Sequence, residues 1–276
     1  SSSAASDVYK RQDLFNSLYS ENSQLNATKY YFYDLNFSYF NKINSKNTFY
    51  LSSFIGKDNF RYEDQWNLKN LFKNNIDWKS RFISAKLKHI TNEKLSFKTI
   101  LALNRYDLNF GASIYNFDLN LSSQNIDFIF KMEYEYQVNN RVDLNFGVES
   151  ILHRIAPNNY KIQGIENSSS YQNNNKLHSI ESALFFEGNY HFTNKTKLDI
   201  GLRVSNFNQI GPFERIEFNQ YGDEIKSAEY QKGSIIQTYF RPEPRITLKH
   251  LLKKNYTLSL GYSQAFQYLH LAPISN

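Results

Sequence analysis

The sequence predicts an all-β fold, part of an antiparallel up-and-down transmembrane β-barrel, on three observations. Apolar and polar side chains alternate with a period of two, the alternating runs come in pairs, and no run of apolar residues is long enough to cross a bilayer as a helix. The pattern is cleanest from Ile126 to Glu149. Ile126, Phe128, Phe130, Met132, Tyr134, Tyr136 and Val138 fall on one face, and Asp127, Lys131, Glu133, Glu135 and Gln137 on the other, with Ile129 the exception. After Asn139-Asn140-Arg141 the pattern resumes, with Val142, Leu144, Phe146 and Val148 against Asp143, Asn145 and Glu149. Successive strand side chains point to opposite faces, so this is a hairpin with one apolar and one charged face. Each arm exceeds the usual strand of about 5–6 residues. It suits a strand of about 9–11 residues tilted across a bilayer and projecting beyond it.

The other elements follow in order. Tyr31, Tyr33, Leu35, Phe37 and Tyr39 alternate with Phe32, Asp34, Asn36 and Ser38; a polar turn at Asn41 to Asn47 leads to a return strand near Thr48 to Tyr62. Ile76 to His89 and Leu95 to Tyr106 flank the turn Thr91-Asn92-Glu93-Lys94. A hairpin from about Leu184 to Val204 turns at Thr193 to Thr196, and a last one turns at Lys253-Lys254-Asn255 between Ile246 and Tyr262. The sum is about ten strands in about five hairpins, the habit of an up-and-down barrel. Short polar turns close the hairpins. Longer segments join them: Glu63 to Asn75, Asp107 to Gln124, Pro157 to Lys176 and Asn206 to Ser234. That asymmetry matches periplasmic turns on one side and extracellular loops on the other. Tyr39, Phe49, Tyr136, Phe192 and Tyr256 sit beside the short turns, where they read either as an interfacial aromatic girdle or as ordinary strand-end aromatics. A soluble β-propeller also repeats at about 40–50 residues, but its blades hold four short strands with Gly and Trp signatures. Here each repeat holds two long strands, and the chain has 10 glycines and two tryptophans.

Composition agrees. Aromatic residues make up 17 % of the 276 positions, yet mean hydropathy is negative, because only every second residue of a barrel strand meets lipid. There are no cysteines, which excludes disulfides and thiolate metal sites. The net charge of +6 reads either as attraction to anionic headgroups or substrates or as simple abundance of lysine. Ser1 to Gln12 lacks the apolar core of a signal peptide, and Asp7-Val8-Tyr9-Lys10-Arg11-Gln12 looks like a translated sequencing adapter. Residues 1–12 are therefore set aside as a scar, leaving 13–276 as part of one barrel domain truncated at both ends.

No catalytic constellation emerges, so an enzyme is not expected. The six histidines lie far apart and none shares a metal-site spacing with another; no metal and no cofactor is expected. No Gly-rich phosphate loop or nucleophile elbow occurs, and nothing points to nucleic acid. By the alternation, Lys131, Glu133, Glu135, Asp143, Glu149, Asp199 and Arg203 face the lumen, where they either solvate the interior or line a ligand path. In the longest connection, Phe213, Arg215, Phe218, Tyr221 and Tyr230 are candidate ligand contacts, since function concentrates on loops held by a rigid scaffold. The competing expectation is a loop that only shields the barrel mouth.

Three segments resemble the barrel of a TonB-dependent outer-membrane receptor. They are Phe146-Gly147-Val148-Glu149 with Leu152-His153-Arg154; Ser182-Ala183-Leu184-Phe185-Phe186-Glu187 with Gly201-Leu202-Arg203-Val204-Ser205; and Pro244-Arg245-Ile246-Thr247-Leu248 with Tyr262-Ser263 and Gln267-Tyr268-Leu269-His270-Leu271. Gln264 stands where the family often has a basic residue. The resemblance is loose over the first half and better from about Phe146 onward. It implies an outer-membrane receptor of a Gram-negative bacterium, a multi-pass barrel of about 22 strands with a plugged lumen. It also implies energy-coupled import of a scarce siderophore, vitamin or glycan. The implied partners are outer-membrane lipid, a plug domain upstream of this chain, a TonB-type coupling complex acting through that missing region, and a small-molecule or oligosaccharide ligand. A plug-free, porin-like passive channel is the alternative function.

Overall fold

The computed structural model describes residues 5–7, 28–63, 72–114, 117–164, 171–172 and 176–268. The described residues form one antiparallel sheet of long strands in sequence order, with a small hairpin set apart from it. Its strands are β1 (Ala5–Asp7), β2 (Thr28–Lys42), β3 (Asn47–Glu63), β4 (Phe72–Ile90), β5 (Leu95–Ile114), β6 (Phe117–Asn139) and β7 (Val142–Gln163). They continue with β8 (Tyr171–Gln172), β9 (Leu177–Thr193), β10 (Thr196–Ile210), β13 (Ile235–Lys253) and β14 (Tyr256–Ser263). The separate hairpin is β11 (Phe213–Phe218) with β12 (Glu224–Tyr230). Every main-path neighbour is antiparallel, as an up-and-down barrel wall requires. Of the residues read as a scar, Ala5–Asp7 pair with Asp34 to Asn36, and the others lie outside the described residues.

The short turns hold for a local reason. Asn44 accepts the Lys46 and Asn47 N–H groups through Oδ1 at 2.9 and 2.8 Å, and Asn92 does the same for Lys94 and Leu95 at 2.9 Å each. Asn139 accepts Arg141 N–H at 2.8 Å, and Thr193 Oγ1 accepts Lys195 and Thr196 N–H at 3.1 Å. A short polar side chain that bonds its own backbone two or three residues on reverses the chain without help from the rest of the fold. Val138 departs from its expected place, because the ladder shifts register between Gln137 and Asn139.

The strands run further than the apolar belt. β5, β6 and β7 have 20, 23 and 22 residues. The connection expected from Asp107 to Gln124 is therefore strand except for residues 115–116, which lie outside the described residues. Pro157 to Gln163 continues β7, Phe72 to Asn75 opens β4, and Asn206 to Ile210 completes β10. Beyond the apolar belt the alternation of β5 and β6 continues in the opposite phase: Leu108, Phe110, Leu119 and Leu121 lie on the other face, with Phe110 opposite Leu121.

One face is apolar next to the short turns. On β6 it runs from Ile126 to Tyr136 and on β7 from Val142 to Leu152, each a stretch of about 11 residues, long enough for a tilted strand to cross a belt about 25 Å tall. Phe128, Leu152, Leu184, Ile200, Leu248 and Leu260 are all exposed on it. Tyr39, Phe49, Tyr136, Phe192 and Tyr256 occupy its short-turn edge. A ring row crosses four strands from His89 to Phe97 (5.0 Å), Tyr134 (5.7 Å) and Phe146 (5.2 Å, stacked), adding cross-strand contact to the ladder.

Candidate functional site: the ion-paired face

The opposite face, which lines a barrel's interior, is organised around charge. Lys131, Glu133 and Glu135 alternate down β6 beside Lys98 of β5 and Lys88 of β4. Lys131 Nζ lies 3.2 Å from Glu133, Lys98 bridges Glu135 and lies 4.0 Å from Glu133, and Lys88 lies 3.5 Å from Glu135. A cavity of about 430 Å³ next to this cluster is lined by Lys88, Lys94, Glu93, Glu135 and Asp143.

A second cluster centres on Arg203 of β10. Its guanidinium lies 2.9 Å from Glu149 of β7, 3.1 Å from Glu181 of β9 and 3.8 Å from Glu243 of β13. Carboxylates from three neighbouring strands thus converge on one cation, with Lys131 opposite Glu149 and with Arg241 and Arg245 on either side of Glu243. Asp199 pairs with Lys197 at 2.9 Å and with Lys249 at 3.5 Å. A third cluster joins His153 to Asp127 at 2.8 Å, with the Asn104 and Asn125 amides donating to the same carboxylate at 3.3 and 3.0 Å. Ile129 departs from the alternation because it sits in a small apolar row of this face, between Ala102 of β5 and Ile151 of β7.

Gly147 is the residue on this face that geometry most restricts. A Cβ there would lie 2.1 Å from the Met132 carbonyl oxygen and 2.8 Å from the Phe185 ring. That ring fills the space a side chain would need, and Lys131 Nζ stands 4.9 Å from its centroid in a cation–π contact.

β14 leaves the ladder after Ser263, and β13 supplies the reason. Gln264 N–H donates to the Pro244 carbonyl at 3.1 Å, so this side of β13 faces β14, and Pro244 and Pro242 offer no N–H there. The chain then turns onto the ion-paired face. Phe266 packs under Arg241 at 5.4 Å, Tyr268 stacks on Phe207 at 5.0 Å, and the Tyr268 hydroxyl meets Ser205 Oγ at 2.7 Å. Ser205 in turn donates to Glu243 at 2.7 Å and is fully buried. Leu269, His270 and Leu271 lie outside the described residues.

Lys131, Glu133, Glu135, Asp143, Glu149, Asp199 and Arg203 therefore share one face, but in separate clusters: Lys131 with Glu133 and Glu135, Glu149 with Arg203, and Asp199 with its own lysines. Sequence reasoning missed Lys98, Glu181, Glu187 and Glu243. The alternation Glu181, Ala183, Phe185, Glu187 against Leu184 and Phe186 carried a signal for two of them; Glu243, between two prolines, carried none.

The candidate loop residues lie on the β11–β12 hairpin. Phe213 and Tyr230 are direct cross-strand partners, and Arg215 lies opposite Ala228 on the same face. Phe218 pairs with Glu224 after a register shift, and Tyr221 sits at the turn, 80 % exposed. Asn219 Oδ1 accepts the Tyr221 and Asp223 N–H groups at 2.9 Å each, and Gly222 takes φ +88°, so the turn is built from its own side chain and a glycine. The hairpin replaces the irregular loop expected there. Among the described residues no group of His, Asp or Glu is arranged to hold a metal ion.

Comparison with known proteins agrees with this architecture. The family model for the TonB dependent receptor-like β-barrel matches residues 2–275. Among solved structures the chain resembles the copper transporter OprC, with TM-score 0.62 and 10 % identity over 86 % of this chain and 37 % of that one. It also resembles the ferric yersiniabactin uptake receptor FyuA from Yersinia pestis, with TM-score 0.53 and 10 % identity over 86 % and 35 %. The siderophore receptor PiuA from Acinetobacter baumannii gives TM-score 0.54 and 8 % identity over 87 % and 43 %. At such identities the likeness is one of fold, and the chain spans less than half the length of each receptor. No curated protein matches in sequence.

Proposed function

Because the chain belongs to the TonB-dependent receptor β-barrel family, we propose that it forms part of the barrel wall of an outer-membrane importer that takes up a scarce ligand with energy supplied through a TonB-type complex. The observation that carries this reading is the family match along nearly the whole chain. The siderophore and copper receptors of similar fold favour a metal chelate or metal ion over a glycan or vitamin. The apolar face meets lipid, and the ion-paired face encloses a plug domain.

The β11–β12 hairpin supplies ligand contacts through Phe213, Arg215, Phe218, Tyr221 and Tyr230, whose aromatic faces and charge suit a polar chelate with an organic frame. Deleting Glu217 to Glu229 from the whole receptor leaves assembly intact, since no strand of the main sheet is touched, and abolishes uptake. Normal uptake by that deletion would make the hairpin a lid only.

The decisive experiment is growth of two strains, one lacking the gene and one carrying the gene but lacking TonB, on a panel of ferric siderophores, copper, vitamin B12 and oligosaccharides. Loss of one nutrient in both strains supports energy-coupled import. Passage of small solutes that persists without TonB would support the passive channel instead.

A further inference from the structure

Where the apolar belt ends, on the side away from the short turns, the same face becomes cationic. Arg81, Arg105, Ile126, Arg154 and His178 are register partners in one row across β4 to β9. The row one step nearer the short turns is wholly apolar: Ile83, Leu103, Phe128, Leu152 and Ile180. Beside Arg81, Lys57 and Lys79 hold Asp77 at 3.0 and 3.3 Å, and Arg105 holds Asp107 at 2.8 Å. Five cations thus stand with two carboxylates, and Arg81 and Arg154 form no salt bridge among the described residues.

Two concavities meet at this boundary. An apolar groove of about 520 Å³ lies within the belt, walled by Ile83, Leu101, Leu103, Phe128 and Leu152 and shallow in side chain at Ala85 and Ser150. A polar pocket of about 430 Å³ lies just above it, lined by Lys79, Arg81, Arg105, Asp107, Gln124 and Lys176, among others. Ile83 and Arg81 are successive residues on one strand face, about 7 Å apart at the usual rise per residue. An apolar slot opening onto a basic pocket has the polarity of a lipid molecule, tail below and anionic head above. His178 reports the same positive field: burial first, then Arg154, Lys176 and Lys232, keep its imidazole below the usual range.

We propose that this face binds a phosphate-bearing lipid of the outer leaflet, with an acyl chain in the Ile83–Leu103–Phe128 groove and a headgroup phosphate at Lys79, Arg81 and Arg105. Arginine forks suit phosphate oxygens, and a basic residue at an anionic membrane surface strengthens attachment. The proposal rests on the outer-membrane reading above. The side carrying the longer connections is the extracellular one, so the collar falls at the headgroups of the outer leaflet.

The test uses the whole receptor, purified from the outer-membrane fraction and titrated in detergent with diphosphoryl lipid A, with retention read by native mass spectrometry. Recovery in another fraction would refute the outer-membrane reading itself, independently of lipid binding. The paired change Lys79→Gln with Arg81→Gln should weaken retention about tenfold, while Lys253→Gln with Lys254→Gln at the short-turn edge should leave it unchanged. Ala85→Phe fills the groove without altering charge and should weaken retention as well. Equal retention by the Lys79/Arg81 variant, or equal retention of enzymatically dephosphorylated lipid A, overturns the proposal. Displacement of lipid A by millimolar inorganic phosphate overturns it too, since the pocket would then be a free-anion site. If the paired variant fails to fold, as judged by heat-modifiable mobility, a salt titration of the unaltered receptor decides. Retention that falls with salt supports the proposal, and retention indifferent to salt overturns it.

Discussion

The two ends of each long strand differ in what surrounds them, and β6 shows the contrast within one element. From Ile126 to Tyr136, toward the short turn, every outward residue is apolar and the inward ones are mostly charged. From Phe117 to Gln124, away from it, the phase is reversed: Asp118, Asn120, Ser122 and Gln124 take the face of the belt, and Phe117, Leu119 and Leu121 the other. The ladder to β5 runs without a break through both ends. Backbone pairing extends the wall through both ends, while the surroundings decide which face the apolar residues take. Where lipid meets one face, the apolar residues stand there; beyond the lipid that face turns polar and the apolar residues cross to the other.

The contrast can be broken most directly with one substitution at each end of β6. Phe130→Arg, at the centre of the belt, should cost about 2–4 kcal/mol, and Gln124→Arg, on the same face beyond it, about 0–1 kcal/mol. Urea titration of the whole receptor in lipid vesicles measures both, and equal costs would mean that the belt ends elsewhere.

Packing sharpens the comparison next. Gly147→Ala should destabilise by about 1–3 kcal/mol, because a carbonyl and the Phe185 ring already fill the space. Gly111→Ala, beyond the belt, meets only the end of the Asn120 side chain at 3.3 Å and should stay within about 0.5 kcal/mol. The same titration reads both.

Asp107 tests the electrostatics beyond the belt. Burial would raise its carboxyl, but hydrogen bonds from Arg105 and Gln124 outweigh burial and hold it below the usual range. A depressed carboxyl contributes stability that is present above its unfolded value, near pH 4, and is lost as pH falls through the folded value. Asp107→Asn should therefore cost about 0.5–1.5 kcal/mol at neutral pH and nothing once the wild-type group is protonated. A cost that persists unchanged in acid would show that the aspartate acts through packing rather than charge.

The smallest effect is expected on the β11–β12 hairpin. Gly222→Ala places a Cβ at positive φ and should loosen the turn by about 1 kcal/mol, leaving barrel unfolding unchanged. Faster amide exchange confined to Glu224 to Tyr230 would show it, and a shifted unfolding midpoint would contradict it.

How much was legible follows the same division. The belt residues of β6 and β7, the Asn-closed turns and the order of the hairpins could all be read directly, because each depends on neighbours along the chain or on a single solvent boundary. Asp107 to Gln124 read as a connection although it is strand; its alternation (Leu108, Phe110; Leu119, Leu121) runs in the opposite phase to that of the belt. That the charged residues share one face was legible from the alternation, but their grouping was not. Arg203 meets Glu149, Glu181 and Glu243 only because four strands settle in one register.

By itself the sequence determined the all-β class, the antiparallel hairpin order, the apolar belt and the turn residues, because periodicity and short-range hydrogen bonds are properties of the chain. Only the tertiary structure decided how far the strands run past the belt, where β14 leaves Pro244, and which charges meet across the sheet. Those outcomes depend on register between strands, and register sets distances between residues dozens of positions apart that no local pattern encodes.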